Sequence, residues 1–191
     1  SDGKGTLLTT SECLLSPNRN GAWNKDQIEQ YLKENLGISR ILWLDHGFLE
    51  GDDTDSHIDT LARFCPNDTI AYIQCNDPKD HHYKALKDME SQLQSFRTQD
   101  NRPFRLLPLP MADEIVFDNE RLPATYANFL IINGAVLYPT YNQPINDSRT
   151  AEILTTAFPE RQIIGIDCRA LIKQHGSLHC VTMQYPKNVI K

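Results

Sequence analysis

Two short segments of this 191-residue chain carry residue types that do chemistry together. Ser177-Leu178-His179-Cys180-Val181-Thr182, near the C-terminus, supplies a thiol. Ser56-His57-Ile58-Asp59-Thr60, far upstream, supplies an imidazole and a carboxylate. These are the groups needed to attack a guanidinium carbon through sulfur. A lone Cys says little, and a Cys with a separate His-x-Asp says more. Each motif also has a plainer reading. Cys180 lies in an alternating run, where a free Cys usually packs as a small hydrophobe. Gly176 just before it lets the backbone come close to a ligand. His57 and Asp59 would also suit an exposed, polar strand start.

The remaining polar groups carry less. Asp52-Asp53-Thr54-Asp55 makes an acidic loop that reads as a solvated turn. It lacks the ligand series of a calcium loop. His175 and His179 flank the thiol without partners at metal-like spacing, so they read as shaping the pocket. His81-His82, at a polar helix start, reads as solvent-facing. Trp23 and Trp43 read as core or interface, and Arg19 as a turn residue free for a subunit contact. The five cysteines, Cys13, Cys65, Cys75, Cys168 and Cys180, are odd in number and show no C-x-x-C pair. No zinc or redox motif follows, and reduced thiols suggest the cytosol. Lys and Arg total 19 against 25 Asp and Glu, a net charge of −6, which argues against nucleic acid as the main partner. There is no signal peptide or long apolar span, so no membrane partner is expected.

The elements that must position these groups recur three times in the sequence. In the first unit, strands are expected over 6–9 and 12–15, a helix over 25–34 and a strand over 40–44. Ile28, Leu32 and Leu36 line one helix face, Asn24 is placed to cap the start and Gly37 suits the exit. In the second, strands are expected over 58–64 and 70–75, broken at Pro66-Asn67-Asp68, then a helix over 80–96 and a strand over 104–109. In the third, strands over 126–132 and 135–138 meet at Asn133-Gly134, a strong hairpin signal. A helix capped by Asp147 or Ser148 runs to 158, and strands follow over 162–166 and 178–184. On the 58–64 strand, His57, Asp59 and Leu61 would share one face. Turn markers near Thr10, Asn67 and Asn133 stand about 57 and 66 residues apart.

Strand–strand–helix–strand repeated in this way is an α/β (α+β) pattern of mixed sheets, and its regularity suggests a radial, propeller-like arrangement. The last strand has no helix after it, and the chain starts at Ser1 without Met. Residues 1–191 are therefore expected to form a single domain or the C-terminal portion of a larger propeller.

Several separate stretches, in order, resemble the agmatine deiminases, relatives of the Porphyromonas-type peptidylarginine deiminases. They are the Asp-Asp-Thr-Asp run, His57-Ile58-Asp59-Thr60-Leu61-Ala62-Arg63-Phe64, Arg121-Leu122-Pro123-Ala124-Thr125-Tyr126-Ala127-Asn128-Phe129, Asn133-Gly134-Ala135-Val136, Phe158-Pro159-Glu160-Arg161 and Gly176 to Thr182. The resemblance implies the five-bladed pentein propeller, of which this chain would supply about three units plus the Cys strand. It implies deimination of agmatine to N-carbamoylputrescine and ammonia. Cys180 would be the nucleophile, His57 the proton carrier, Asp59 the guanidinium clamp, and Gly176 would lie against the substrate. It implies no metal or organic cofactor, a small cationic guanidine as partner, and a homo-oligomer. A further guanidinium-binding carboxylate and the Glu partner of the His would come from a segment before this chain. His175 departs from the family, which usually has Gly there. No Arg or Lys beside either motif offers itself to a substrate carboxylate, which favours agmatine. A deiminase of arginine or peptidyl-arginine, or a catalytically silent binding or interface fragment, are the competing expectations. A papain-like thiol hydrolase does not suit the repeats.

Overall fold

A computed structural model describes residues 1–185 and 189. Three strand–helix–strand units follow one another along the chain. The first holds β1 (Thr6–Thr10), the short helices α1 (Ser11–Leu15) and α2 (Pro17–Asn20), α3 (Lys25–Leu36) and β2 (Arg40–Leu44). Strands β1 and β2 pair in parallel, Thr6 opposite Arg40 through Thr10 opposite Leu44. Asn24 and Gln27 form a reciprocal capping box at the start of α3, and Gly37 ends it in the left-handed conformation at φ 63°. Ile28 is the buried residue of this helix, and Leu36, expected on the same face, is exposed.

The second unit contains α4 (Ile58–Leu61), β3 (Ala62–Cys65), β4 (Thr69–Gln74), α5 (Tyr83–Ser95) and β5 (Arg105–Pro110). Strand β3 runs antiparallel to β4, and β5 parallel to it. Asn67 and Asp68 turn the hairpin with φ of 57° and 52°, a conformation these two residues tolerate better than most. After the two-residue strands β6 (Val116–Phe117) and β7 (Glu120–Arg121) comes the third unit: β8 (Leu130–Ile132), β9 (Ala135–Thr140), α6 (Pro144–Ala157) and β10 (Gln162–Asp167). Its sheet repeats the order of the second, with β8 antiparallel and β10 parallel to β9. Helix α5 packs on β4 and on β2 of the preceding unit, and α6 on β9, β10 and β5. Each of these helices therefore ties its own sheet to the closing strand of the one before.

One core runs through the second and third units. Ile70, Ile73, Leu86, Met89, Leu109, Tyr126, Phe129 and Leu154 are all essentially inaccessible. A smaller cluster of Ile28, Ile38, Ile41 and Trp43 lies under α3. Among the described residues no helix is long and apolar enough to cross a membrane.

Three expected strands are corrected. Residues 12–15 form α1, because the Thr10 hydroxyl accepts the Cys13 amide at 3.3 Å and caps a helical turn, so Thr10 does not mark a hairpin. Residues 58–61 are helical, and the strand begins only at Ala62. Residues 179–181 form a single 3-10 turn, with no strand over 178–184. The third helix also starts earlier than expected, at Pro144, where the Asp147 carboxylate accepts the amides of Tyr141 and Gln143.

Candidate active site

The acidic loop is a device for placing His57. Asp52 accepts the Thr54 hydroxyl at 2.5 Å and the Ser56 amide at 2.9 Å, and Asp55 and Ser56 both adopt positive φ. Burial pushes the Asp52 carboxyl up, against the hydrogen bonds it accepts. The chain then enters α4 with His57 as its N-cap. His57 and Asp59 meet because a helical turn brings residue i+2 back toward its own cap, not because a strand alternates. The Thr60 hydroxyl closes the turn onto the His57 carbonyl at 2.8 Å. Arg19, expected at a subunit contact, donates to the Thr54 carbonyl of the same chain at 3.3 Å.

The segment 125–129 joins the two chemical segments. The Thr125 hydroxyl donates to the Thr60 carbonyl at 2.7 Å, and the Asn128 amide donates to the Asp59 carbonyl at 3.2 Å. The Asn128 side-chain oxygen accepts the His179 amide at 2.7 Å and lies 3.4 Å from the Cys180 amide. Two successive amides aimed at one oxygen cannot also belong to a β-ladder, which is why the Cys180 segment turns instead of extending. Tyr141 steadies it from behind, 2.9 Å from the Ser177 hydroxyl and donating to the Thr125 carbonyl at 2.9 Å. Gly176 packs against Cys180. A β-carbon there would sit 3.1 Å from Cβ of Cys180, so the residue permits a close approach of the chain to itself and does not line the cavity described next. His175 takes a positive φ of 60° and bonds the Gly51 carbonyl through Nδ1 at 2.8 Å.

The result is a cluster around one carboxylate. Asp59 Oδ1 lies 2.6 Å from His57 Nδ1, and Oδ2 lies 2.8 Å from His179 Nδ1. Cys180 Sγ lies 3.8 Å from the same Oδ2 and 3.5 Å from Asn128 Oδ1. At these distances each ring donates from Nδ1, which leaves its Nε2 free to accept or hand on a proton. Burial alone would raise the Asp59 pKa. The hydrogen bonds and charges of His179 and His57 outweigh it and hold the carboxyl well below the usual range. The thiol is pushed the other way: loss of water around the sulfur raises its pKa, and the nearby Asp59 charge adds to the rise. Cys180 is an exposed residue whose sulfur lies against Asp59 and Asn128, whereas the other four cysteines are buried or half-buried. Burial pushes Cys65, the half-buried one, up to about 12.

His57, Asp59, Arg63 and His179 line a cavity of about 650 Å³ whose apolar wall includes Leu8 and Ile131. Cys180 reaches this cavity through Asp59 and is not itself on the wall. Arg63 had no place in the sequence-based site, although it follows His57 by only six residues. Its Nη1 is wholly buried without a partner, and it forms no ion pair with a described residue. Its guanidinium carbon sits 5.2 Å from the centre of the Phe129 ring. A cation–π contact contributes roughly 0.5–2 kcal/mol. Moving an ion out of water costs several kcal/mol, so the ring does not offset the burial. Burial accordingly lowers the Arg63 pKa, partly countered by Asp59, Cys65 and Cys180. Asn128 and the bridging role of His179 were equally unmarked by spacing. The one sequence signal for any of them was a polar residue standing in an apolar run, as in Ala62-Arg63-Phe64 and Ala127-Asn128-Phe129.

His82, expected to face solvent, is fully buried. It accepts the Glu50 amide at Nε2 (2.9 Å) and meets Asp80 at Nδ1 (2.6 Å), which fixes the loop entering α5. Among the described residues Glu50, His81 and His82 bring potential metal-ligand atoms within 4.8 Å of one another. Both nitrogens of His82 are already engaged, so a metal would have to displace the Glu50 amide. Trp43 is core, and Trp23 is exposed, edge-on to Tyr31.

Comparison with known proteins gives the family and the fold of the chain. Residues 1–186 match the family model described as Porphyromonas-type peptidyl-arginine deiminase. A Porphyromonas gingivalis structure provisionally described as an arginine deiminase is 57% identical, with a TM-score of 0.95, over 98% of this chain and 55% of that one. A C. jejuni agmatine deiminase with its substrate bound, in a Cys-to-Ser form, is 46% identical, with a TM-score of 0.87, over 94% of this chain and 52% of that one. The agmatine deiminase of Pseudomonas fluorescens is 32% identical over 97% of this chain and 55% of its own length. The chain thus spans about half the length of the curated relatives it matches. The mixed α/β fold is that of the agmatine deiminase structures.

Proposed function

Since the chain belongs to the Porphyromonas-type peptidyl-arginine deiminase family, we propose that it supplies the thiol, imidazole and carboxylate of a hydrolase that deiminates agmatine to N-carbamoylputrescine and ammonia. One observation carries the reading: a single buried carboxylate, Asp59, meets His57, His179 and the Cys180 sulfur at once.

The resting thiol is disfavoured as thiolate first by burial and then by the Asp59 charge. A guanidinium that binds Asp59 neutralises that charge, so the substrate itself lowers the barrier to ionising the nucleophile. His57 takes the thiol proton at Nε2, and sulfur adds to the guanidinium carbon. His57 returns the proton to the departing nitrogen, which leaves as ammonia and forms a covalent thiouronium on Cys180. Neutral His57 then accepts a proton from water as its oxygen attacks the same carbon. Collapse breaks the C–S bond, the hydroxyl proton passes to solvent as the ureido product is freed, and the expelled sulfur takes back the proton held by His57. Asp59 stays ionised throughout and holds the flat cation by its N–H groups. Gly176 is assigned to keep the nucleophile's turn close to the site.

The docking of α5 and α6 on the preceding sheets supports a radial succession of units, read here as about three blades of a five-bladed propeller. Residues 1–191 would then be a single domain or the C-terminal portion of one. A cytoplasmic homo-oligomer is the setting that the family resemblance suggests.

The test is covalent capture in the intact protein. A haloacetamidine should add one amidine to Cys180, and agmatine should protect it. Equal labelling of Cys13 or Cys65, or labelling of Cys180 indifferent to agmatine, would remove the nucleophile assignment.

A further inference from the structure

The chemistry proposed above leaves one ring of the cluster without a role. His179 precedes the nucleophile, and its backbone is held at both ends. Asn128 Oδ1 takes its amide at 2.7 Å, and its carbonyl accepts the Thr182 hydroxyl at 2.7 Å and the Thr182 amide at 3.1 Å. The turn itself therefore aims the ring. The ring lines the cavity whose wall Cys180 does not reach, and its Nδ1 meets Asp59 Oδ2 at 2.8 Å. The Cys180 sulfur faces that same oxygen from 3.8 Å, while His57 holds the other one, Oδ1. The two rings thus guard different oxygens, and only that of His179 is shared with the nucleophile.

The sulfhydryl has two acceptors near it: Oδ2, which is charged, and Asn128 Oδ1 at 3.5 Å, which is neutral. A thiol that gives its hydrogen to a carboxylate is held protonated, because ionising it would set two anions side by side. An imidazole N–H at 2.8 Å makes a far stronger bond to Oδ2 than a sulfhydryl at 3.8 Å. A carboxylate offers about four acceptor positions, so two rings still leave room for a guanidinium. We propose that His179 is a positioning residue for the deimination: its Nδ1–H occupies the carboxylate oxygen that faces the nucleophile and so keeps the thiol proton from being locked onto Asp59. Its effect on turnover rests on the deiminase reading, and its effect on the sulfur rests on the geometry alone.

The experiment compares His179→Phe, which keeps a ring and removes the donor, with His179→Asn, whose side-chain N–H stands near the place of Nδ1. Each is made in the intact protein, alone and combined with Asp59→Asn. The readouts are the pH midpoint of Cys180 alkylation by iodoacetamide without ligand, ammonia release from agmatine across pH, and melting temperature. His57, Arg63 and Tyr141, the other titratable groups around the thiol and Asp59, stay unchanged throughout. His179→Phe should raise the midpoint by about half a unit or more and lower kcat at neutral pH about threefold or more, a deficit that shrinks toward about pH 9 as the thiol ionises. His179→Asn should recover most of both. In the Asp59→Asn background His179→Phe should not move the midpoint, because the oxygen it guards no longer carries charge. An unchanged midpoint in His179→Phe overturns the proposal. So does an equal rise in both backgrounds, which is what a general loosening of the turn would give. If His179→Phe fails to fold, His179→Gln, whose N–H reaches toward the place of Nε2 instead, takes its part, and the same rise or its absence decides. Should the intact protein release no ammonia from agmatine, the deiminase reading fails, and the alkylation midpoints still decide for His179.

Discussion

The β-ladders and the chemical segments of this protein satisfy their backbones in opposite ways. In the β4–β5 and β9–β10 pairs, strand bonds strand over six residues in unbroken register. Around His57 and Cys180 the partners are side chains. Asp52 takes the Ser56 amide, Thr125 gives to the Thr60 carbonyl, and Asn128 spans Asp59 and His179. The ladders are cooperative, and losing one side chain leaves them in place. The site depends on single side-chain braces, each fixing one angle. Stability and chemistry should therefore separate under mutation.

The largest separation is expected at the sulfur. Cys180→Ser should reduce turnover of the intact protein by about 10³-fold or more while leaving the melting temperature within about 2 °C. Thermal denaturation beside an ammonia assay checks both, and a large melting shift would blur the contrast. Next comes the carboxylate. Asp59→Asn should cost about 3–5 kcal/mol of transition-state stabilisation, because a buried substrate cation loses its partner. A loss confined to KM and below about tenfold would remove the clamp role. On the other side stands Leu154, fully buried in α6. Leu154→Ala should cost about 2–5 kcal/mol of stability through the cavity it leaves. Below its new melting point it should turn over substrate at nearly the original rate, and a large fall in kcat would erase the distinction. The smallest effect is expected at Asn24, where loss of the α3 cap in Asn24→Ala should cost about 1 kcal/mol in a urea titration and nothing in turnover.

What could be read in the sequence follows the same division. The α3 and α5 patterns, the Asn133-Gly134 hairpin and the parallel closing strands come from local periodicity and turn chemistry, which the ladders obey. The segments 58–61 and 178–184 alternate like strands but have no neighbouring strand to pair with. Asn128, 52 positions from Cys180, takes the amides a strand would use. Nothing within a few residues of His179 announces that its ring will bond Asp59 across 120 positions. His82 was misplaced for a related reason: its burial depends on the Glu50 amide 32 positions upstream. The motif residues pointed to the site's chemistry, while its geometry lies in contacts between distant segments.

The electrostatic coupling of Asp59 to the sulfur can be measured directly. In the intact protein without ligand, the rate of Cys180 alkylation by iodoacetamide, followed by mass against pH, should show a thiol midpoint above the ordinary value of about 8.5. Removing the neighbouring negative charge in Asp59→Asn should bring that midpoint down by on the order of one unit. An identical midpoint in both proteins would mean that thiol and carboxylate do not share a site, and the account of one assembled centre would fail.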